Sequence, residues 1–117
     1  MSDWTHIYTI IEVEDLNVER ILQNNFIERI IDILKNAPKI TGEEEDAYVN
    51  VIRFKKTVRC GNDDPDSNVN CALITITGGL RDRTLEQTTN EFNAFLKYIE
   101  VDCGMSVEIK PGGGVYV

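Results

Sequence analysis

Residues Thr5–Val13, THIYTIIEV, are rich in β-branched and aromatic side chains, with apolar residues on both faces of an extended chain. Such a run predicts a central, well-buried strand. The period then changes. Through EDLNVERILQNNFIERIIDILKN, Leu16, Ile21, Leu22, Phe26, Ile30, Ile33 and Leu34 recur at the spacing of an amphipathic helix. Asp15 or Asn17 can cap its start. Pro38, shortly after Asn36, marks its end, so the first helix is placed at 16–36.

Alternation returns in AYVNVIRFKKTVRC. Tyr48, Ile52, Phe54 and Val58 share one face; Arg53, Lys55, Thr57 and Arg59 share the other, beyond Val49 and Val51. GNDDPDSNVN is dense in turn formers, and CALITIT reads as the next strand, antiparallel to the last. The second helix, RTLEQTTNEFNAFLKYIE, is placed at 85–100. Thr84 and Gln87 have the spacing of a capping box. Its buried stripe is Leu85, Thr88, Phe92, Phe95, Leu96 and Ile99, and Gly104 is its stop. MSVEIK alternates once more, PGGG breaks the chain, and VYV can add a short last strand.

The order strand, helix, strand, strand, helix, strand is that of a ferredoxin-like βαββαβ domain. The expected class is α+β, with a four-stranded antiparallel sheet and two helices on one face. At 117 residues the chain is read as one domain, 1–117. The opposite sheet face is left open or meets a partner. With Val49, Val51 and Leu73 assigned to that face beside the Arg53–Lys55–Arg59 stripe, the expectation is a homodimer, a higher homo-oligomer or a heteromeric complex.

Charge narrows the partners. The net charge is −8, and most of the excess falls in the first fifty residues, which hold eleven acids against four bases. Direct nucleic acid binding needs clustered basic charge and is not expected. No apolar run approaches the ~20 residues of a membrane span, and MSDWTHIYTI has no secretory signal pattern. The expected location is therefore cytoplasmic, in a bacterial host cell once the resemblance described below is added, with no membrane partner. Glu43, Glu44, Glu45 and Asp46 form an acidic turn, read with Arg53, Lys55 and Arg59 as a candidate interaction surface.

Little in the chain points to catalysis. His6 is the one histidine, and no nucleophile elbow, phosphate loop or zinc-protease motif occurs. Cys60, Cys71 and Cys103 with His6 offer a three-Cys, one-His donor set for zinc, but no close cysteine pair supports it. DDPDSN lacks the glycine and the closing glutamate of a calcium loop. No cofactor and no metal is expected. The strongest local signal is ITITGGLRDRTLEQ. If the helix opens at Thr84, residues 78–83 form a strand-to-helix connection. Arg81 and Arg83 can then bind phosphate or carboxylate beside helix N–H donors. Gly78 and Gly79 let a ligand approach the backbone, and Trp4 and His6 complete the candidate ligand site, Trp4 as a stacking platform. The competing reading pairs the arginines with Asp82 and Glu86.

Trp4, Thr5, His6 and Ile7, together with Gly78, Leu80, Arg81 and Asp82, resemble a group of small uncharacterised phage- and prophage-encoded proteins. In these a T-H-I strand opens the chain and a strand ending in G-x-L-R-D leads into a helix. The resemblance covers those two stretches, and Gly79 stands where the pattern has Asp. It implies a phage-related, intracellular origin and no particular activity. Three functions remain open at this point. The first is a non-enzymatic binder that inhibits or sequesters a host defence protein. The second is a sponge for a small nucleotide-like signal held by GGLRDR, and the third a small enzyme acting on a phosphate-bearing substrate. A structural phage component without an active site is the bland alternative.

Overall fold

The computed structural model describes residues 4–15, 25–58 and 68–117. Strand β1 (Trp4–Asp15) is followed by helix α1 (Phe26–Asn36), strands β2 (Tyr48–Val58) and β3 (Asn68–Arg81), and helix α2 (Leu85–Lys97). A π-helical turn (Tyr98–Asp102) then leads to strands β4 (Ser106–Ile109) and β5 (Gly114–Tyr116). The chain is α+β. Every strand pairing is antiparallel. The sheet runs β2-β3-β1-β4, and β5 pairs with the first half of β1, ahead of the stretch that pairs with β4.

Strand β1 lies in the middle because its odd positions are buried without a break. Thr5, Ile7, Thr9, Ile11, Val13 and Asp15 face the helices. Their partners on β3, from Leu80 through Ile76 and Ile74 to Ala72, lie on the same side. Phe26 and Ile30 of α1, Phe92 and Phe95 of α2, and Ile99 close one continuous core over that face. The capping box is present: Thr84 Oγ1 accepts from the Gln87 backbone N–H at 3.1 Å, and Gln87 Oε1 accepts from the Thr84 N–H at 2.9 Å.

Two expectations are corrected, and two others fall in part outside the described residues. Asp15, a candidate cap, ends β1 fully buried in an ion pair with Arg29 of α1, and the segment it would cap lies outside the described residues. The described part of the first helix is Phe26–Asn36, and the rest of the predicted 16–36 segment lies outside the described residues. Gly78 and Gly79 do not begin a connection; β3 continues through them to Arg81. Gly78 is accommodated there because Ala47 lies against it, and a Cβ at 78 would stand 3.1 Å from the Ala47 Cα. Finally, β2 changes face partway. A bulge between Val51 and Arg53 shifts the register, as an extra residue in one strand does. Val49 and Val51 therefore pack against the core with Phe54, while Ile52 is 56% exposed. The apolar patch read on the open face loses two of its three members and keeps Leu73. The β2 edge is interrupted by that bulge, a device that discourages edge-to-edge pairing.

Among the described residues no helix is long and apolar enough to cross a membrane.

Candidate functional site

The face of the sheet away from the helices is laid out by register. At one end Trp4 is opposite Arg81. The next row is Gly79, His6 and Tyr116, and the next Tyr48, Thr77, Tyr8 and Gly114. Asn50, Thr75 and Ile10 follow, then Arg53, Leu73, Glu12 and Glu108, and last Cys71, Glu14 and Ser106. Paired residues on antiparallel strands project to the same side. The face is thus split. One half is aromatic and hydroxyl-bearing; the other is charged.

In the aromatic half, Trp4, Tyr8, Tyr48 and Tyr116 are 42, 47, 56 and 54% exposed. His6 stacks on Tyr116 with ring centroids 5.5 Å apart and planes at 25°. Gly79 lies under the same group: a Cβ there would meet the His6 Nδ1 at 3.4 Å and the Trp4 Cε3 at 3.7 Å. The missing side chain lets two rings settle onto the sheet. Trp4 and His6 were read from the sequence, and Tyr8, which the sequence reading missed, follows them at the two-residue period of one strand. Tyr48 and Tyr116, also missed, join them only through pairing across strands.

The predicted ligand residues divide. Trp4, His6 and Gly79 meet on the open face. Arg81 and Arg83 turn towards the segment that carries Glu43–Asp46. Arg81 is ion-paired with Glu44, and its Nε is 3.7 Å from the Asp82 carboxylate. Arg83 donates from Nε to Thr41 Oγ1 at 3.4 Å and from Nη1 to its neighbour's carbonyl, Asp82 O, at 3.1 Å. Thr41 in turn donates its hydroxyl and its backbone N–H to Glu91, at 2.6 and 2.9 Å. The Glu43 N–H donates to Arg81 O, and Thr5 Oγ1 to Arg83 O. The two motifs read separately, GEEED and GGLRDR, are one network joining β1, β3, α2 and the segment before β2. Asp82 turns the chain with φ +56°, a conformation Asp tolerates better than most residues.

Electrostatics follow this geometry. A hydrogen bond to Glu44, and then that group's charge, raise the Arg81 pKa. The Glu43 carboxyl is raised above the ordinary carboxylate value, first by a hydrogen bond with Asp82 and then by repulsion from it. A ligand anion approaching Arg81 would have to displace Glu44. Glu45 accepts a long hydrogen bond from Tyr48 Oη, at 3.5 Å, which brings the acidic run to the rim of the aromatic half.

In the charged half, Glu12, Glu14 and Cys71 place donor atoms within 4.8 Å of one another. Lys110 Nζ already lies 2.9 Å from Glu12 and 3.6 Å from Glu108, and Glu12 raises its pKa. His6 and Cys71 sit towards opposite ends of the β1–β3 ladder, opposite Gly79 and Glu14 respectively. At about 3.4 Å per residue they cannot share an ion. Arg53 is exposed beside the β2 bulge, Lys55 is paired with Cys71, and Arg59 and Cys60 lie outside the described residues. No family model matches the chain, and neither curated proteins nor solved structures yield a match.

Proposed function

We propose that this chain is a non-enzymatic, ferredoxin-like binding module that captures a host protein through the open face of its sheet. The observation that carries the reading is the exposed group Trp4, Tyr8, Tyr48 and Tyr116 around His6. Aromatic side chains supply large, rigid contact area and dominate binding hot spots. The strand order β2-β3-β1-β4 supports the ferredoxin-like assignment. The resemblance to phage-encoded proteins supports a bacterial, cytoplasmic target and an inhibitory or sequestering role. Heteromeric capture is favoured over self-association, because two surfaces of a chain with net charge −8 repel. The nucleotide-sponge reading is weakened by the pairing of Arg81 with Glu44.

Cross-linking mass spectrometry after incubation with a bacterial host lysate tests this. Cross-links from Lys110 and from cysteines introduced at Thr75 and Thr77 to one partner are expected, and Trp4→Ala with Tyr48→Ala should remove them. Cross-links confined to the exposed side of the helices would overturn the assignment. A thermal-shift panel with nucleotides separates the sponge. A ligand at a hundredfold excess over its Kd adds about 2.7 kcal/mol, and a clear shift would replace the protein partner with a nucleotide.

A further inference from the structure

The PGGG run contains three consecutive glycines, and the backbone demands only two of them. Gly112 has φ +97°, where side chains are strained. Gly113 presses on β1, and a Cβ there would lie 2.4 Å from Tyr8 O and 2.9 Å from the Thr9 Cα. Gly114 is different. Its φ is outside the left-handed region, and nothing lies within 4 Å of the place its Cβ would occupy. It opens β5, paired with Tyr8, where a β-branched residue would strengthen the strand and a glycine weakens it. A glycine kept in a strand without a backbone reason marks a place where something else approaches the chain.

Position 114 pairs with Tyr8 and precedes Tyr116 by two residues, so all three face the open side. The absent side chain leaves a cleft of about 390 Å³ lined by Tyr8, Gly112, Gly113, Gly114, Val115 and Tyr116. Two exposed phenol rings flank it, with His6 stacked against Tyr116. Such a cleft takes a flat group: a nucleobase, a sugar or a guanidinium. Charge decides among them. The chain carries −8, Glu45 stands at the Tyr48 rim, and Glu12 and Glu108 already engage the nearby Lys110. Phosphorylated ligands are repelled and cations are drawn in. A guanidinium is flat, cationic and weakly hydrated, and stacks on tyrosine faces.

We infer that the cleft formed by Tyr8, Gly114 and Tyr116 receives an arginine side chain of the partner protein. The guanidinium lies between the phenol rings, and the peptide groups of the glycine segment offer carbonyl acceptors for its N–H donors. The inference rests on the sheet-face reading above and names the anchor that face recognises.

The test uses the whole chain and four probes. These are a short acetylated and amidated peptide with a central arginine, its lysine and citrulline twins, and adenosine monophosphate. Binding is followed by tyrosine and tryptophan fluorescence and by amide shifts of residues 112–116. The arginine peptide is expected to bind at least about tenfold more tightly than the lysine and citrulline twins. Gly114→Val fills the cleft without a clash. It should weaken arginine binding by a similar factor while leaving the melting temperature unchanged or higher. Equal binding of the citrulline twin, preference for the nucleotide, or undiminished binding by Gly114→Val would each overturn the inference. The two readings fail separately. If Trp4→Ala with Tyr48→Ala abolishes partner cross-links and Gly114→Val does not, the sheet face stands and the arginine cleft falls. If Gly114→Val abolishes arginine-peptide binding while partner cross-links map to the helices, the cleft stands and the sheet-face partner falls.

Discussion

Arg81 and Glu44, thirty-seven residues apart in sequence, form an ion pair at the surface between the end of β3 and the segment that leads into β2. The pair joins the chain's most conspicuous basic motif to its most conspicuous acidic one. Both side chains are more than a third exposed, so solvent screens the attraction and the pair organises the surface more than it stabilises the fold. A double-mutant cycle with Arg81→Gln and Glu44→Gln is expected to give a coupling of about 0.2–1 kcal/mol that shrinks with added salt. A coupling of several kcal/mol, insensitive to salt, would make the pair a structural clamp.

Asp15 and Arg29 behave differently. The carboxylate is fully buried and its partner mostly so, and they tie the end of β1 to the first turns of α1. Removing the arginine takes a charged neighbour from a buried carboxylate. Arg29→Ala is expected to destabilise the chain by about 3 kcal/mol in urea unfolding. The double replacement Asp15→Leu with Arg29→Met should recover most of that loss, because desolvation of both groups then disappears. Equal losses for the single and double variants would place the effect in packing.

Thr9 and Thr88 bury hydroxyl groups that find no hydrogen-bond partner among the described residues. Valine has nearly the same shape and no polar atom to desolvate. Thr9→Val and Thr88→Val are each expected to raise stability, by about 1 kcal/mol. A loss of stability in thermal or urea unfolding would mean that a buried water serves these hydroxyls.

The raised pKa of Glu43 has a definite sign. In the folded chain its carboxyl holds a proton more tightly than in the unfolded one, because Asp82 accepts or repels it. Its contribution to stability is fully present below the ordinary glutamate pKa. It is lost as pH rises through the higher folded value. Glu43→Gln removes this step. Stability measured from mildly acidic to neutral pH should therefore fall less steeply in the variant than in the wild type. The opposite change in slope would mean that Arg81 and Arg83, not Asp82, dominate the carboxyl's surroundings.

What the sequence determined by itself is local and periodic. The β-branched run of THIYTIIEV was enough for a central strand, and the three-to-four spacing of Phe26, Ile30, Phe92 and Phe95 for the helices and their buried sides. Side-chain direction in a strand or helix follows from backbone geometry alone. The Thr84–Gln87 cap was legible for the same reason: it closes within four residues. What tertiary structure decided involves residues far apart in the chain. The β2 bulge turned Val49 and Val51 inward, and a one-residue slip exchanges the faces of a strand. The continuation of β3 through Gly78 and Gly79 depended on pairing with β1 and on the close approach of Ala47. The aromatic face needed β1, β2 and β5 side by side before Tyr8, Tyr48 and Tyr116 could meet. The Arg81–Glu44 pair needed the segment before β2 to pass the end of β3. Such contacts depend on register and chain path, which are settled by how the whole core closes and leave no local pattern to read.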